Sequence, residues 1–178
     1  MCAAPTFEWF GLVEDDSLEQ GDFFFPCTVI SGVTEISGDA EIVIQGQASD
    51  YDVVVVSQSC DLANHKLESA LVCPTWLLSD LAKTIPRFAS AAECEATRRG
   101  NVPGFHMLNL CSLEGFVAKE VRIVSFRQVF SVPMDYLRQL ARKRPRLRLL
   151  PPYREQLAQA FARYFMRVGL PVDIPPFK

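Results

Sequence analysis

The sequence lacks any apolar run approaching the roughly 18 residues that a bilayer-spanning helix needs, so no helical membrane anchor is expected. It also lacks a Cys-x-x-Cys pair. Its six cysteines, Cys2, Cys27, Cys60, Cys73, Cys94 and Cys111, are scattered, which argues against a zinc site built from paired ligands. Only two histidines are present, His65 and His106, so imidazole bases are scarce. The opening stretch MCAAPTFEWFGLVEDDSLEQGD has no basic segment ahead of an apolar one and soon turns acidic. An export signal is therefore not expected, and reduced thiols in a cytoplasmic protein are the default. Internal repeats and low-complexity segments are absent too.

What is present is an ordinary globular composition, 49% hydrophobic and 22% charged over 178 residues, enough for one domain with a real core. The net charge of −3 conceals a strong asymmetry. Residues 1–86 carry 14 acidic side chains against two lysines, a balance of −12, whereas residues 87–178 carry 16 basic against 7 acidic, a balance of +9. Such a division implies either a basic face for an anionic partner or two halves that attract each other.

Residues 1–19 form an arm with Phe7, Trp9 and Phe10 ahead of the acidic EDDSLEQ, suited to docking on a surface, its own or a partner's. A β-rich core follows over residues 20–130. QGDFFFPCTVI turns at Gly21-Asp22 into an apolar strand in which Pro26 marks an edge or a bulge. VTEIS-GD-AEIVIQG reads as a hairpin turning at Gly38-Asp39. YDVVVVSQ reads as a strand buried on both faces, because its valines do not alternate with polar residues. LESALVCPTW is a further strand broken at Pro74, and residues 75–102 form a helical excursion ending near Gly100. GFHMLNLC and FVAKEVRIVSFRQVFSV return to strand, the latter with at least one partly wet face.

Residues 131–178 read as helical and arginine-rich. One helix starts from Ser131 as its N-cap, PRLRL breaks it, and a second opens on Pro151-Pro152 and stops near Gly169. Leu157, Phe161, Tyr164, Phe165 and Val168 share one face of the second helix, with Arg163 and Arg167 opposite. The expected class is α+β: a small bent antiparallel sheet or SH3-like barrel with a helical insertion and two C-terminal helices.

The motifs QGDFF, VVVVSQSCDL and RLRLLPPYREQLAQAFARYFMRVGLP resemble those of a bacterial protein family, over most of residues 20–174. That resemblance implies no activity. The Gly-Asp turn before a strand and the VVVxS-type second strand are also similar to the MazF/PemK toxins, SH3-like barrels that cleave RNA. This chain has Tyr51-Asp52 where those toxins carry an arginine ahead of the second strand, so the likeness implies a barrel fold more than ribonuclease chemistry.

Cys60 ends the valine-rich strand, where reactive groups are often displayed. A thiol nucleophile would need His65 or His106 as base, with Asp61 or Asp22 as orienting carboxylate. A mixed zinc shell would combine Cys60, His65 and Cys73 with Cys27, Cys111 or His106. The plain alternative has Ser57 and Ser59 satisfying turn amides, Asp61 capping the loop and Cys60 filling the strand end. The arginine-rich segment is the stronger lead. Arg138, Arg142, Lys143, Arg144, Arg146 and Arg148 form a cluster whose guanidinium forks suit carboxylates and phosphates. It can serve nucleic acid, a protein partner or the acidic N-terminal half. The function expected is a non-enzymatic adaptor or regulatory protein of a bacterial multi-protein system, for which no residue demands a cofactor. The alternative is a Cys60-dependent hydrolase or a toxin-like ribonuclease.

Overall fold

The structure is a computed structural model and describes residues 7–37, 43–64, 66–113, 115–116 and 120–166. The elements in chain order are β1 (Phe10–Val13), β2 (Phe23–Ser37), β3 (Val43–Val55), α1 (Ser59–Ala63), β4 (Ser69–Leu77), α2 (Leu78–Thr84), a 3-10 turn (Pro86–Ala89), α3 (Ala91–Arg98), β5 (Phe105–Leu108), β6 (Arg122–Ser125), β7 (Phe130–Pro133), α4 (Met134–Lys143), β8 (Arg146–Leu149) and α5 (Tyr153–Phe165). Strands β2-β3-β4-β6-β5 make one antiparallel sheet, with β7 also paired to β4, and β1 pairs with β8 separately. The fold is α+β with a small bent sheet. The sheets stay open, so of the two forms expected the bent sheet is the one found.

The four valines explain the layering. Val53 and Val55 face a cluster closed by Leu62 of α1 and Leu137 and Ala141 of α4, while Val54 and Val56 face the opposite cluster, closed by Leu147, Leu149 and Leu157. All four are essentially inaccessible, as a strand covered on both faces requires. A third cluster, around Leu81, Phe88, Phe105 and Ile123, anchors the helical excursion to β5 and β6.

Several local expectations are corrected by pairing. Pro74 does not break β4: it sits within the strand opposite Val53. Ser131 is not the cap of α4, because β7 stays paired to β4 through Pro133 and places Ser131 opposite Leu71. FVAKEVRIVSFRQVFSV folds as two strands, β6 and β7, and keeps a partly wet face: Ile123 and Val124 are fully buried, but Arg122 is half-buried and Ser131 and Pro133 are exposed. PRLRL is no mere break either, since Arg146–Leu149 is the strand β8, paired residue by residue with β1. Pro26 does fall at a register shift, and β2 has only β3 as a ladder partner along most of its length. The hairpin turn expected at Gly38-Asp39 lies outside the described residues. On α5, Phe161 and Tyr164 pack on the core with Leu157, but Phe165 remains 59% exposed. Val168 and Arg167 lie outside the described residues.

Candidate functional site

The aromatic arm docks on its own chain. Trp9 stacks on Tyr153 with ring centroids 3.6 Å apart and planes 9° from parallel, and the Leu150 amide donates to the Trp9 carbonyl at 2.9 Å. From there β1 runs beside β8, which delivers the acidic EDDSLEQGD segment to the arginines of β8.

The meeting point is Gly21-Asp22. Gly21 donates to Val55 O at 2.9 Å and accepts from the Leu149 amide at 2.9 Å, so the ends of β3 and β8 close on it from two sides. Its φ of +88° and a Cβ position 2.9 Å from Leu149 Cβ leave room for glycine alone. Asp22 is 0% exposed. Its Oδ2 accepts from Arg146 Nε at 2.9 Å, Arg148 Nη2 at 2.9 Å and the Glu19 amide at 3.0 Å, and its Oδ1 accepts from Arg148 Nε at 2.5 Å. Arg146 also donates to the carbonyls of Asp15 and Ser17. Arg148 and Arg154 share the Glu19 carboxylate, each at 2.7 Å. Burial works against the charged form of Arg148, but hydrogen bonding to Asp22 and the charges of Asp22, Glu19 and Asp15 outweigh it and hold its pKa above the usual value.

The expected arginine surface is thereby divided. Arg146, 2% exposed, and the largely buried Arg148 point inward and bind carboxylates of their own chain, so neither can serve as a contact for an outside partner. Arg142 pairs with Asp16 at 2.7 Å on the surface, and Arg138 lies 3.5 Å from Asp135. Lys143 and Arg144 are exposed and have no carboxylate partner among the described residues. Arg144 instead donates to Pro26 O at 2.8 Å.

The SQSCDL segment has a structural job. Ser57 Oγ accepts from the Leu71 amide at 2.8 Å, and Ser59 Oγ accepts from the Gln20 amide at 3.1 Å. Gln20 Nε2 donates to Val56 O at 2.8 Å. The serines thus satisfy amides of β4 and of the QGD turn rather than of their own loop, and the two sequence motifs interlock. Leu62 fills the core beneath them. Asp61 caps no amide among the described residues and pairs with Lys66 at 3.8 Å.

Cys60 lies on α1 rather than in a loop. It is exposed, with its thiol 3.7 Å from Gln58 Oε1. It lines neither of the two cavities described below. Of its candidate bases, His65 lies outside the described residues. His106 is in β5, its ring against Phe126, and burial pushes its pKa down to about 4. Of the expected zinc ligands, Cys73 is fully buried on β4 opposite Val54, and His65 lies outside the described residues. Among the described residues no three His, Cys, Asp or Glu side chains are placed to hold a metal ion. Burial raises the Cys73 thiol to about 12 and, with some help from Asp50, the Cys27 thiol to about 11, so both are inert at neutral pH.

Two cavities open among the described residues. One, of about 580 Å³, separates the acidic arm from α1 and α4, with Asp16 and Glu19 on one wall and Arg138 and Arg142 on the other. The second, of about 590 Å³, lies between β2 and β8 and is lined mainly by aromatic and aliphatic side chains with Arg122, Arg144 and Arg146. No signal in the sequence pointed to it, because its walls come from residues scattered between Leu12 and Leu147. No protein-family model and no curated protein matches the chain. No helix among the described residues is long and apolar enough to cross a membrane.

Proposed function

We propose that the protein is a non-enzymatic interaction protein that recognises an acidic surface of a protein partner through the end of α4. The observation that carries this reading is the division among its arginines. Those of β8 are neutralised internally, whereas Arg142 and Lys143 face solvent on the last turn of α4. The pair of Arg142 with Asp16 is exposed and contributes little on its own, so a partner carboxylate can displace it readily. A patch this small suits a few carboxylates better than a nucleic-acid backbone, where proteins commonly make about six to ten phosphate contacts. A thiol enzyme would need a base beside Cys60; His106 stands on β5, at the far edge of the sheet from β3, the strand that leads into α1, and His65 lies outside the described residues.

The test is isolation of partners from the cells that make the protein, using the wild type, Cys60→Ser, and a double reversal Arg142→Glu with Lys143→Glu. The reading requires a partner held by the wild type and by Cys60→Ser but released by the reversal. Equal retention by the reversed variant contradicts it. A labelled oligonucleotide titrated at about 50 and 200 mM salt supplies the other arm, because steeply salt-dependent binding lost on reversal would assign the patch to nucleic acid.

A further inference from the structure

The cavity between β2 and β8 has a volume of about 590 Å³, within the range of roughly 300–1,000 Å³ usual for small-molecule sites. Phe25 and Phe116 supply accessible aromatic wall and Leu12 accessible aliphatic wall, with the buried Phe23 and Leu147 beneath them. Among the described residues that line it there are three arginines and no carboxylate.

The three arginines are not equivalent. Arg146 is neutralised by Asp22. Arg122 pairs with Asp52 at 3.0 Å, donates to Thr75 Oγ1 at 3.1 Å and lies over the Phe25 ring at 4.4 Å. Arg144, just past the end of α4, is fixed by one hydrogen bond to Pro26 O and has no carboxylate partner among the described residues. A guanidinium has five N–H donors, so most of those on Arg144 remain available. The cavity thus combines an apolar body with one partly immobilised positive charge at its wall that no carboxylate among the described residues compensates.

We infer that this cavity is a binding site for a small organic monocarboxylate with an aromatic body, the carboxylate seated on Arg144 and the ring packed against Phe25 and Phe116. One guanidinium without a carboxylate among the described residues matches one negative charge, and its planar fork suits a carboxylate. Arg122 over Phe25 gives the aromatic wall a fixed orientation. The cavity adjoins the end of α4, since Leu140 and Arg144 line it, but it uses Arg144 and not the Arg142 and Lys143 assigned to a protein partner.

The experiment is an amide-shift titration of the folded protein by NMR with 3-phenylpropionate and, in parallel, with its uncharged isostere 3-phenylpropionamide. The site requires saturable shifts centred on Phe25, Arg144 and Leu147, with the amide weaker by at least about ten-fold, because it leaves the guanidinium unpaired. Arg144→Gln brings the acid down to the affinity of the amide. Arg144→Lys, which keeps the charge but not the fork, falls between them. Leu12→Trp fills the mouth and abolishes both. Equal binding of acid and amide overturns the inference, as do acid binding unchanged in Arg144→Gln and the absence of shifts with either compound. Arg144 is exposed, so its variants fold, which melting temperatures equal to wild type verify.

Discussion

Arg146 and Asp22 stand 124 residues apart in sequence, yet their side chains meet at 2.9 Å in a place from which water is excluded. The contact joins the most acidic stretch of the chain to the most basic one. A buried ion pair gives no assured gain over well-packed apolar residues, because both charges must be desolvated. It does fix register strongly. Only one alignment of β8 against β1 and the Gly21-Asp22 turn puts Arg146 and Arg148 on the same carboxylate. Charge asymmetry is in this respect a folding instruction.

Gly21 tests the geometry of that turn. Gly21→Ala forces a side chain into a positive φ and against Leu149 Cβ, and a loss of about 2–4 kcal/mol in urea denaturation is expected from strain and displaced β8. Gly100 is the control: its φ is +73°, but nothing lies within 4 Å of the added Cβ, so Gly100→Ala is expected to lose only about 1 kcal/mol. Equal losses at the two positions would show that β8 does not press on Gly21.

His106 gives the fold an acid-sensitive element. Its Nε2 is buried without a hydrogen-bond partner among the described residues, and its pKa falls from 6.5 to about 4 through burial. The folded state therefore holds the neutral ring while the unfolded state takes up a proton more readily. Stability from this group is complete above pH 6.5 and is lost as pH falls towards 4, by up to about 3 kcal/mol. Subtracting the stability profile of His106→Phe from that of the wild type should isolate this slope. Parallel profiles across the window would count against a buried neutral ring.

The cysteines separate by burial. Native protein treated with a thiol reagent at neutral pH should label Cys60 while leaving Cys27 and Cys73 unlabelled until denaturant is added. Cys60→Ser should change stability by no more than about 0.5 kcal/mol, as for an exposed position without a special role. Peptide mapping and a melting curve check both statements.

How much of this was legible in the sequence depends on how local each signal is. The valine run announced a doubly covered strand because burial on both faces erases alternation within four residues. The helical excursion and the two late helices were marked by periodicity and by proline and glycine punctuation. β8 was hidden because RLRL looks like a polar break. Its period-2 alternation is a strand signal, but Leu147 and Leu149 enter one core while Arg146 and Arg148 enter a largely buried acidic pocket. The partner needed to read it, Asp22, sits at the far end of the sequence. The charge asymmetry held the clue, and an intramolecular origin was one of its two readings. The monocarboxylate cavity left no local trace, since its aromatic wall and its arginines converge only in three dimensions.

The central claim is that the arginines of β8 are internal ties to the acidic arm. A double-mutant cycle on Asp22 and Arg146 in urea tests it most directly, with Asp22→Asn as a milder companion to Asp22→Ala. Either single change should cost about 3–5 kcal/mol by stranding a buried charge. The Asp22→Ala, Arg146→Ala double variant should lose less than the sum of the two, by more than about 1 kcal/mol. Losses that simply add, within about 0.5 kcal/mol, would mean the two side chains do not depend on each other and would return Arg146 to the outer surface.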